Sequence, residues 1–318
     1  MLPTIARPGG GLQKAVSDRG GISKIRCLAA RQKPDIKIRV DLSDKDEKIP
    51  LWSYELVLTQ ERSGYRRPIL KRERVWENGR VILNRPEPPD EEDQERLTQT
   101  HLEQINANQK FREVSKFFST ISYLHLVPQL LRYPNAFSGP GLVEDYFGRS
   151  FLEKVVKTSK KTREARLKKI ELALRVAVPQ LKELTQVHDE QGFPHLEAIY
   201  EHWRAQGAKQ REDQFSDGTL RLIGLLWSLL EGDSLLLLEE PELSLNSGIV
   251  GELPKLIYRL QRQRKKSARQ VILSTHSYEL LSRKGISAKE VLLLKPTLNG
   301  TVVSLASSHQ AIKTLLEE

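Results

Sequence analysis

Residues 234–242 read SLLLLEEPE, four leucines (Leu235–Leu238) closed by Glu239 and Glu240. A run this short, apolar on both faces and bounded by Asp233-Ser234 and by acids, predicts a central parallel strand, because only a strand covered on both sheet faces can dispense with polar alternation. Residues leaving the C-terminal end of such a strand stand where open α/β sheets bind ligands. Two carboxylates delivered there can divide two tasks. Glu239 is suited to hold Mg²⁺ as a hard oxygen donor. Glu240 is suited to orient and polarise a water that attacks a terminal phosphate, since phosphoryl transfer needs mainly positioning and charge neutralisation. Two glutamates that simply cap a strand at the surface are the alternative reading.

Working outward, FSDGTLR at 215–221 precedes the apolar stretch LRLIGLLWSLL, which predicts a buried helix. Ser216 is a helix-capping residue type, and Gly218 permits close backbone approach, so the turn through Asp217 and Thr219 becomes a candidate anion site built from free N–H groups. An ordinary helix cap is the alternative. Downstream, a basic helix is expected near 249–263, then the strand QVILST ending at His276, then EVLLLKP at 290–296. His276 follows the next strand after the acids, where an imidazole can donate a hydrogen bond to a phosphate or help place the water, or serve structure alone. This alternation of helix and buried strand predicts a parallel-containing sheet with helices on its faces.

Upstream, residues 11–26 (GLQKAVSDRGGISKIR) predict a short helix stopped by Gly20-Gly21. IKIRVDL at 36–42 and SYELVLTQ at 53–60 alternate as antiparallel strands, and ILKRERVW and RVILNR flank Asn78-Gly79, a strong hairpin signal. RPEPPDEED at 85–93 reads as a linker or boundary. From 94 to 180 the pattern is helical, with one long basic helix expected at 151–176 and ended by Pro179. A second hairpin is expected to turn at Glu190-Gln191-Gly192.

The segments at 215–221, 239–246 and 271–277 together resemble the ABC-type ATPases of the RecF, SMC and DNA-repair branch, particularly bacterial AAA-family proteins of defence loci. The resemblance covers roughly residues 205–296. It implies ATP and Mg²⁺ as cofactors, with Ser216, Asp217, Gly218 and Thr219 in the signature turn and Glu239 at the metal position. It also implies Glu240 as the catalytic glutamate, Leu243–Asn246 as the D-loop with Asn246 near nucleotide, and His276 as the switch histidine. The fold it implies is an α/β P-loop NTPase sheet with an antiparallel β-subdomain and a helical insertion. The expected division is a lobe at 1–88 carrying the meander, a mainly helical insertion at 89–204 ending in the hairpin, and an ATPase core at 205–318. Subunits of the family pair head to tail, each giving its signature turn to the nucleotide held by the other, so a homodimer or pairing with a full-length relative is expected.

Departures accompany the resemblance. Glu239 stands where most relatives have aspartate, Asn246 where the D-loop has aspartate or histidine, and no glutamine can be assigned to a Q-loop. No stretch matches G-x-x-x-x-G-K-[ST]; Gly9–Lys14 is glycine-rich without the spacing. A start placed downstream of the true one, or a truncation, is the expected explanation. The competing function is a binding or scaffold protein that kept the fold and lost turnover. Too little chain follows His276 for the nuclease module some relatives append.

The 318 residues include 29% charged residues and carry a net charge of +10, so affinity for polyanions is expected. Lysines and arginines recur at Lys154, Lys157, Lys160, Lys161, Arg163, Arg166, Lys168 and Lys169, and at Arg259, Arg262, Arg264, Lys265 and Lys266. Backbone phosphates of nucleic acid are the expected partner, with a solvated helix face as the alternative. A single cysteine, Cys27, excludes a disulfide framework. The first residues lack a signal-peptide core, and no apolar run approaches the ~20 residues of a membrane span, so a cytoplasmic protein is expected. Asp44 and Asp46 read as turn residues, and His195 and His202 are too far apart for a helical metal pair.

Overall fold

The computed structural model describes residues 1–30, 35–43, 48–61, 64–133, 145–203, 207–262, 269–281 and 285–317. Asp44 and Asp46, and the basic residues Arg264, Lys265 and Lys266, lie outside that set. The chain forms two compact units, one of Met1–Ile121 with Leu294–Val303, the other of Ser122–Leu293 with Ser304–Glu318.

In the first unit the helices α1 (Leu2–Ala6), α2 (Leu12–Ser17) and α3 (Ile22–Ile25) precede a four-stranded antiparallel meander in the order β1-β2-β3-β4. Its strands are β1 (Ile36–Leu42), β2 (Trp52–Gln60), β3 (Pro68–Glu77) and β4 (Arg80–Arg85). As expected, the helix in 11–26 stops ahead of Gly20 and Gly21, whose φ values of 79° and 89° end a right-handed helix, and α3 follows the pair. At the β3–β4 turn Asn78 and Gly79 both take positive φ, the twist that two-residue hairpins require.

The proposed linker at 85–93 is corrected. Arg85 is fully buried between Glu73 (3.1 Å) and Asp90 (2.8 Å). A short helix α4 (Pro88–Glu92) holds the acid in place, before the longer α5 (Arg112–Thr120). Proline and acid density signalled a boundary, but a buried arginine must be paired, and these acids pair it.

In the second unit a three-stranded parallel sheet runs in the order β10-β9-β5, with β5 at Ser122–Leu124, β9 at Leu236–Glu239 and β10 at Val271–Ser274. The leucine strand is central, as its composition predicts, with Leu236 and Leu238 buried. Strand β5 corrects the all-helical reading of 94–180; a strand this short, in a segment rich in helix formers, carries no periodicity of its own.

The helix α9 (Asp217–Leu230) is buried on nearly every side from Leu220 to Leu229, which is why its sequence shows no polar face. Between β5 and α9 lie α6 (Pro128–Arg132), α7 (Phe151–Lys157), α8 (Lys160–Leu174) and an antiparallel sheet of β6 (Leu181–His188), β7 (Pro194–Tyr200) and β8 (Ala208–Arg211). The one long helix expected at 151–176 is broken between α7 and α8, where Thr158 is extended and its hydroxyl caps Lys154 at 2.9 Å. The hairpin turn near 190–192 forms as expected, with Gly192 at φ 85°.

After β9 come α10 (Ser247–Val250), α11 (Leu253–Arg262), and, beyond β10, α12 (Tyr278–Leu281). EVLLLKP is not part of the parallel sheet. It forms β11 (Leu292–Thr297) of a two-stranded ribbon with β12 (Gly300–Leu305), ahead of the last helix α13 (Gln310–Glu317). Leu292 and Leu294 are exposed there, so a leucine run of equal hydropathy met a different fate because no layer covers it. No helix among the described residues is long and apolar enough to cross a membrane.

Candidate functional site

The C-terminal end of β9 collects side chains from three strands. Leu237 and Glu239 share one sheet face by the two-residue period of a strand. The residue paired with Leu237 is Tyr123 of β5, whose hydroxyl donates to Glu239 Oε2. On the other side the register sets Ser274 of β10 opposite Glu239.

Glu240 leaves the strand at φ 43°, a left-handed conformation that costs a residue with a β-carbon about 1 kcal/mol. The structure over-determines it: the Glu240 N–H donates to the Ser274 carbonyl at 3.0 Å, while its own carbonyl accepts from the Leu243 N–H at 3.2 Å and from Arg221 Nη1 at 3.4 Å. A strained, pinned, non-glycine residue points to function. Its carboxylate Oε1 lies 3.8 Å from His276 Nε2, with the imidazole 93% exposed. A contact so open to water contributes little to stability, but it leaves both groups accessible to a solvent nucleophile.

Glu242 is buried behind this pair. Thr275 donates its hydroxyl to Glu242 Oε1 and accepts from the Ser277 N–H at 2.9 Å, which locks the turn that carries His276 to the acid loop. Glu242 Oε2 and Arg221 Nε are both buried without a hydrogen-bond partner. Burial pulls the Arg221 guanidinium below its ordinary range, against the opposing pull of Asp217, Glu240 and Glu242.

The turn at 215–221 meets the same loop. Ser216 caps α9, accepting from the Thr219 N–H at 3.1 Å, and its hydroxyl also lies 2.9 Å from that of Thr219. A β-carbon at Gly218 would stand 2.8 Å from the Ser244 carbonyl and 3.4 Å from Leu245, so glycine is what lets α9 abut residues 243–246. Asp217 accepts from Gln129 Nε2 at 2.9 Å and from Arg132 Nη2 at 2.7 Å. Asn246 has its side chain engaged as the cap of α10, accepting from the Ile249 N–H at 3.0 Å.

Thus Glu239, Glu240 and His276 gather at one sheet end, Gly218 abuts the Ser244 loop, and Arg221 connects helix α9 to Glu240. Sequence reasoning missed Tyr123, Gln129, Arg132, Arg221, Glu242 and Thr275. An arginine inside the otherwise apolar LRLIGLLWSLL was a legible signal for Arg221, since a buried cation requires buried acids. Tyr123 left no signal, because its partner is far away in sequence.

The implied Mg²⁺ fits Glu239, a half-buried carboxylate at a strand end. Among the described residues no group of three or more His, Cys, Asp and Glu side chains could hold a metal by itself. A magnesium there would take one protein carboxylate and draw its other ligands from phosphate and water. The orphaned Arg221 and Glu242 atoms show hydrogen-bonding capacity unused beside the same loop.

Elsewhere, both ring nitrogens of His195 face carboxylates. Its Nδ1 lies 2.6 Å from Glu212 and its Nε2 3.3 Å from Asp189. Burial opposes its charge, but the bond and attraction to Glu212 outweigh this and raise its pKa. His202 packs against Trp203.

The basic face of α7 and α8 is largely committed within the chain. Lys154, Lys157 and Lys168 lie within 3.3 Å of acids, and Arg166 stacks over Trp227 at 5.2 Å. A cavity of about 720 Å³ between α8 and β6 mixes Lys160, Arg163, Lys168 and Lys182 with Glu164, Glu171 and Glu183.

Among solved structures, the Smc head domain with an extended coiled coil bound to the C-terminal domain of ScpA, derived from Pyrococcus furiosus, aligns with 11% identity and a TM-score of 0.43 over 100% of this chain and 89% of that one. The SMC head domain from Thermotoga maritima aligns with 13% identity and a TM-score of 0.38 over 81% and 76%. A structure titled for ATP-driven dimerization and DNA stimulated activation of SMC ATPases aligns with 14% identity and a TM-score of 0.37 over 52% and 94%. No match is found among the curated proteins. The family model described as "AAA domain, putative AbiEii toxin, Type IV TA system" matches residues 2–282, and the chain, with its acid-tipped parallel strand and glycine-opened helix start, belongs to that family of AAA-type ATPases.

Proposed function

We propose that this chain carries the acid and signature elements of an ATP-hydrolysing site, and that it pairs head to tail, with itself or with a full-length relative, so that each signature turn meets the nucleotide held by the other subunit. The observation that carries the reading is the strained Glu240, pinned through its backbone with its carboxylate 3.8 Å from an exposed His276. Glu239 would hold Mg²⁺, which when bound supplies charge neutralisation at the phosphates. Glu240 would orient the water and receive its proton, His276 would donate a hydrogen bond, and Ser216, Gly218 and Thr219 would face the terminal phosphate held by the other subunit. Family membership supports the ATPase-type chemistry. DNA repair or phage defence is the setting we infer, with nucleic acid as a partner of the basic helices.

ATP turnover tests this, measured for the chain alone and mixed with a family member that has the G-x-x-x-x-G-K-[ST] loop. The mixture is expected to exceed the sum of its parts, and Glu240→Gln in this chain to lower the gain about a hundredfold. A gain unchanged by Glu240→Gln rejects hydrolysis by this site. No gain, with ATP-dependent association retained, favours the scaffold reading.

A further inference from the structure

Asp217 poses an electrostatic problem. A carboxylate in the first turn of α9 stabilises the helix dipole, yet it faces the turn that an anionic phosphate would approach, and an uncompensated negative charge there repels the ligand. The structure meets this from α6. Arg132 Nη2 donates both to Asp217 Oδ1 at 2.7 Å and to the Phe215 carbonyl at 2.6 Å, so one guanidinium spans the backbone on both sides of the Ser216 cap. Gln129, one turn earlier on the same helix, donates to the second carboxylate oxygen of Asp217 at 2.9 Å.

An apolar contact beneath sets the approach of α6 to α9. A β-carbon at Gly224 would lie 3.1 Å from both Leu126 and Leu131, so the glycine opens the face of α9 on which Asp217 also lies, two turns earlier. Glycine in a helix interior is destabilising relative to alanine. It is retained here where the two segments nest.

We propose that Arg132 and Gln129 are positioning residues for the signature turn: they neutralise Asp217, turn its carboxylate toward α6, and hold residues 215–219 in the one conformation that presents Ser216 and Thr219 to an anion. This rests on the reading of that turn as a phosphate-facing element, and deepens it. A salt bridge retained only for stability would not need to bond the Phe215 carbonyl as well; that second bond makes the arginine a brace for the turn itself.

The test is hydrogen exchange of the backbone amides at 215–221 in the full chain, for the unsubstituted protein, Arg132→Gln, Arg132→Lys, and Arg132→Gln with Asp217→Asn. Arg132→Gln is expected to speed exchange there about tenfold, as loss of a charge-assisted pair implies, with β6 and β7 unchanged. Lysine should recover part of the protection, and the double substitution should recover more than the single because no bare carboxylate remains. Unchanged exchange in Arg132→Gln, or a double variant no better than the single, overturns the proposal. Faster exchange spread over the whole second unit also overturns it, since the residue would then be a general stabiliser. Binding of ADP with inorganic phosphate to the mixture with a phosphate-loop family member is the separate arm. If exchange behaves as expected and phosphate dependence is absent, the brace stands and the phosphate-facing reading falls.

Discussion

Gly218 and Ser244 approach so closely that a β-carbon on the first would stand 2.8 Å from the carbonyl of the second. Ser244 itself sits at φ 64°, so the loop is already bent into the left-handed region to receive the helix and has little room to give. Gly218→Ala is therefore expected to destabilise the chain by about 1–3 kcal/mol, the cost typical of overpacking. Urea denaturation followed by circular dichroism checks it. A midpoint equal to that of the unsubstituted protein would mean that the loop yields freely.

Tyr123 holds one oxygen of Glu239 through a partly buried hydrogen bond to a carboxylate. Tyr123→Phe should cost roughly 1.5–3 kcal/mol, the range for hydrogen bonds to charged groups. It should also make Glu239 a freer ligand, so that thermal stabilisation by added Mg²⁺ is greater in the variant than in the unsubstituted protein. A variant equally stable and no more stabilised by Mg²⁺ refutes both parts.

The buried arginine of the first unit is the residue whose removal should matter most there. Arg85→Met leaves Glu73 and Asp90 facing each other in a dry site and is expected to cost about 3–5 kcal/mol. Adding Glu73→Gln and Asp90→Asn should restore part of the loss. A triple variant no more stable than the single one would show that packing, not charge, is what Arg85 contributes.

The same unit should lose stability in acid. His101 is pulled down to about 4 by burial and then by the Arg85 charge, so the unfolded chain, with its histidine near 6.5, binds the extra proton first as pH falls. Stability is then full above 6.5 and declines between 6.5 and about 4, by up to roughly 3 kcal/mol. The Arg85 hydrogen bond holds Asp90 well below the usual carboxylate range against the opposing effect of burial, and that contribution is lost only below about pH 4. Glu73, raised by burial, has the opposite sign and moderates the decline. Chemical denaturation from pH 4 to 7 should show the slope, and His101→Gln should flatten it.

Nucleic-acid binding through α8 should be weak and shallow in its salt dependence, because Lys160 and Lys168 already face acids and Arg166 an aromatic ring. Each phosphate contact contributes a slope of about −0.9 in log K against log salt on duplex DNA. A slope steeper than about −3 that survives Lys161→Glu with Lys182→Glu would place the polyanion elsewhere.

Much of the second unit could be read from local pattern. Four leucines with acids at one end read as a covered strand and Ser216 as the cap of the apolar run that follows, and in the first unit Asn78-Gly79 reads as a hairpin turn, because each depends on neighbours within a few residues. What tertiary structure decided are the pairings between distant segments: Tyr123 on Glu239, Arg132 and Gln129 on Asp217, Arg221 beneath Glu240, and Arg85 between Glu73 and Asp90. The chain also decided at that level that LLLL at 235–238 is buried while Leu292 and Leu294 lie bare. Hydropathy and spacing state what a segment needs covered or neutralised, but the identity of the covering group depends on which other segment packs there, and that is a property of the folded chain alone.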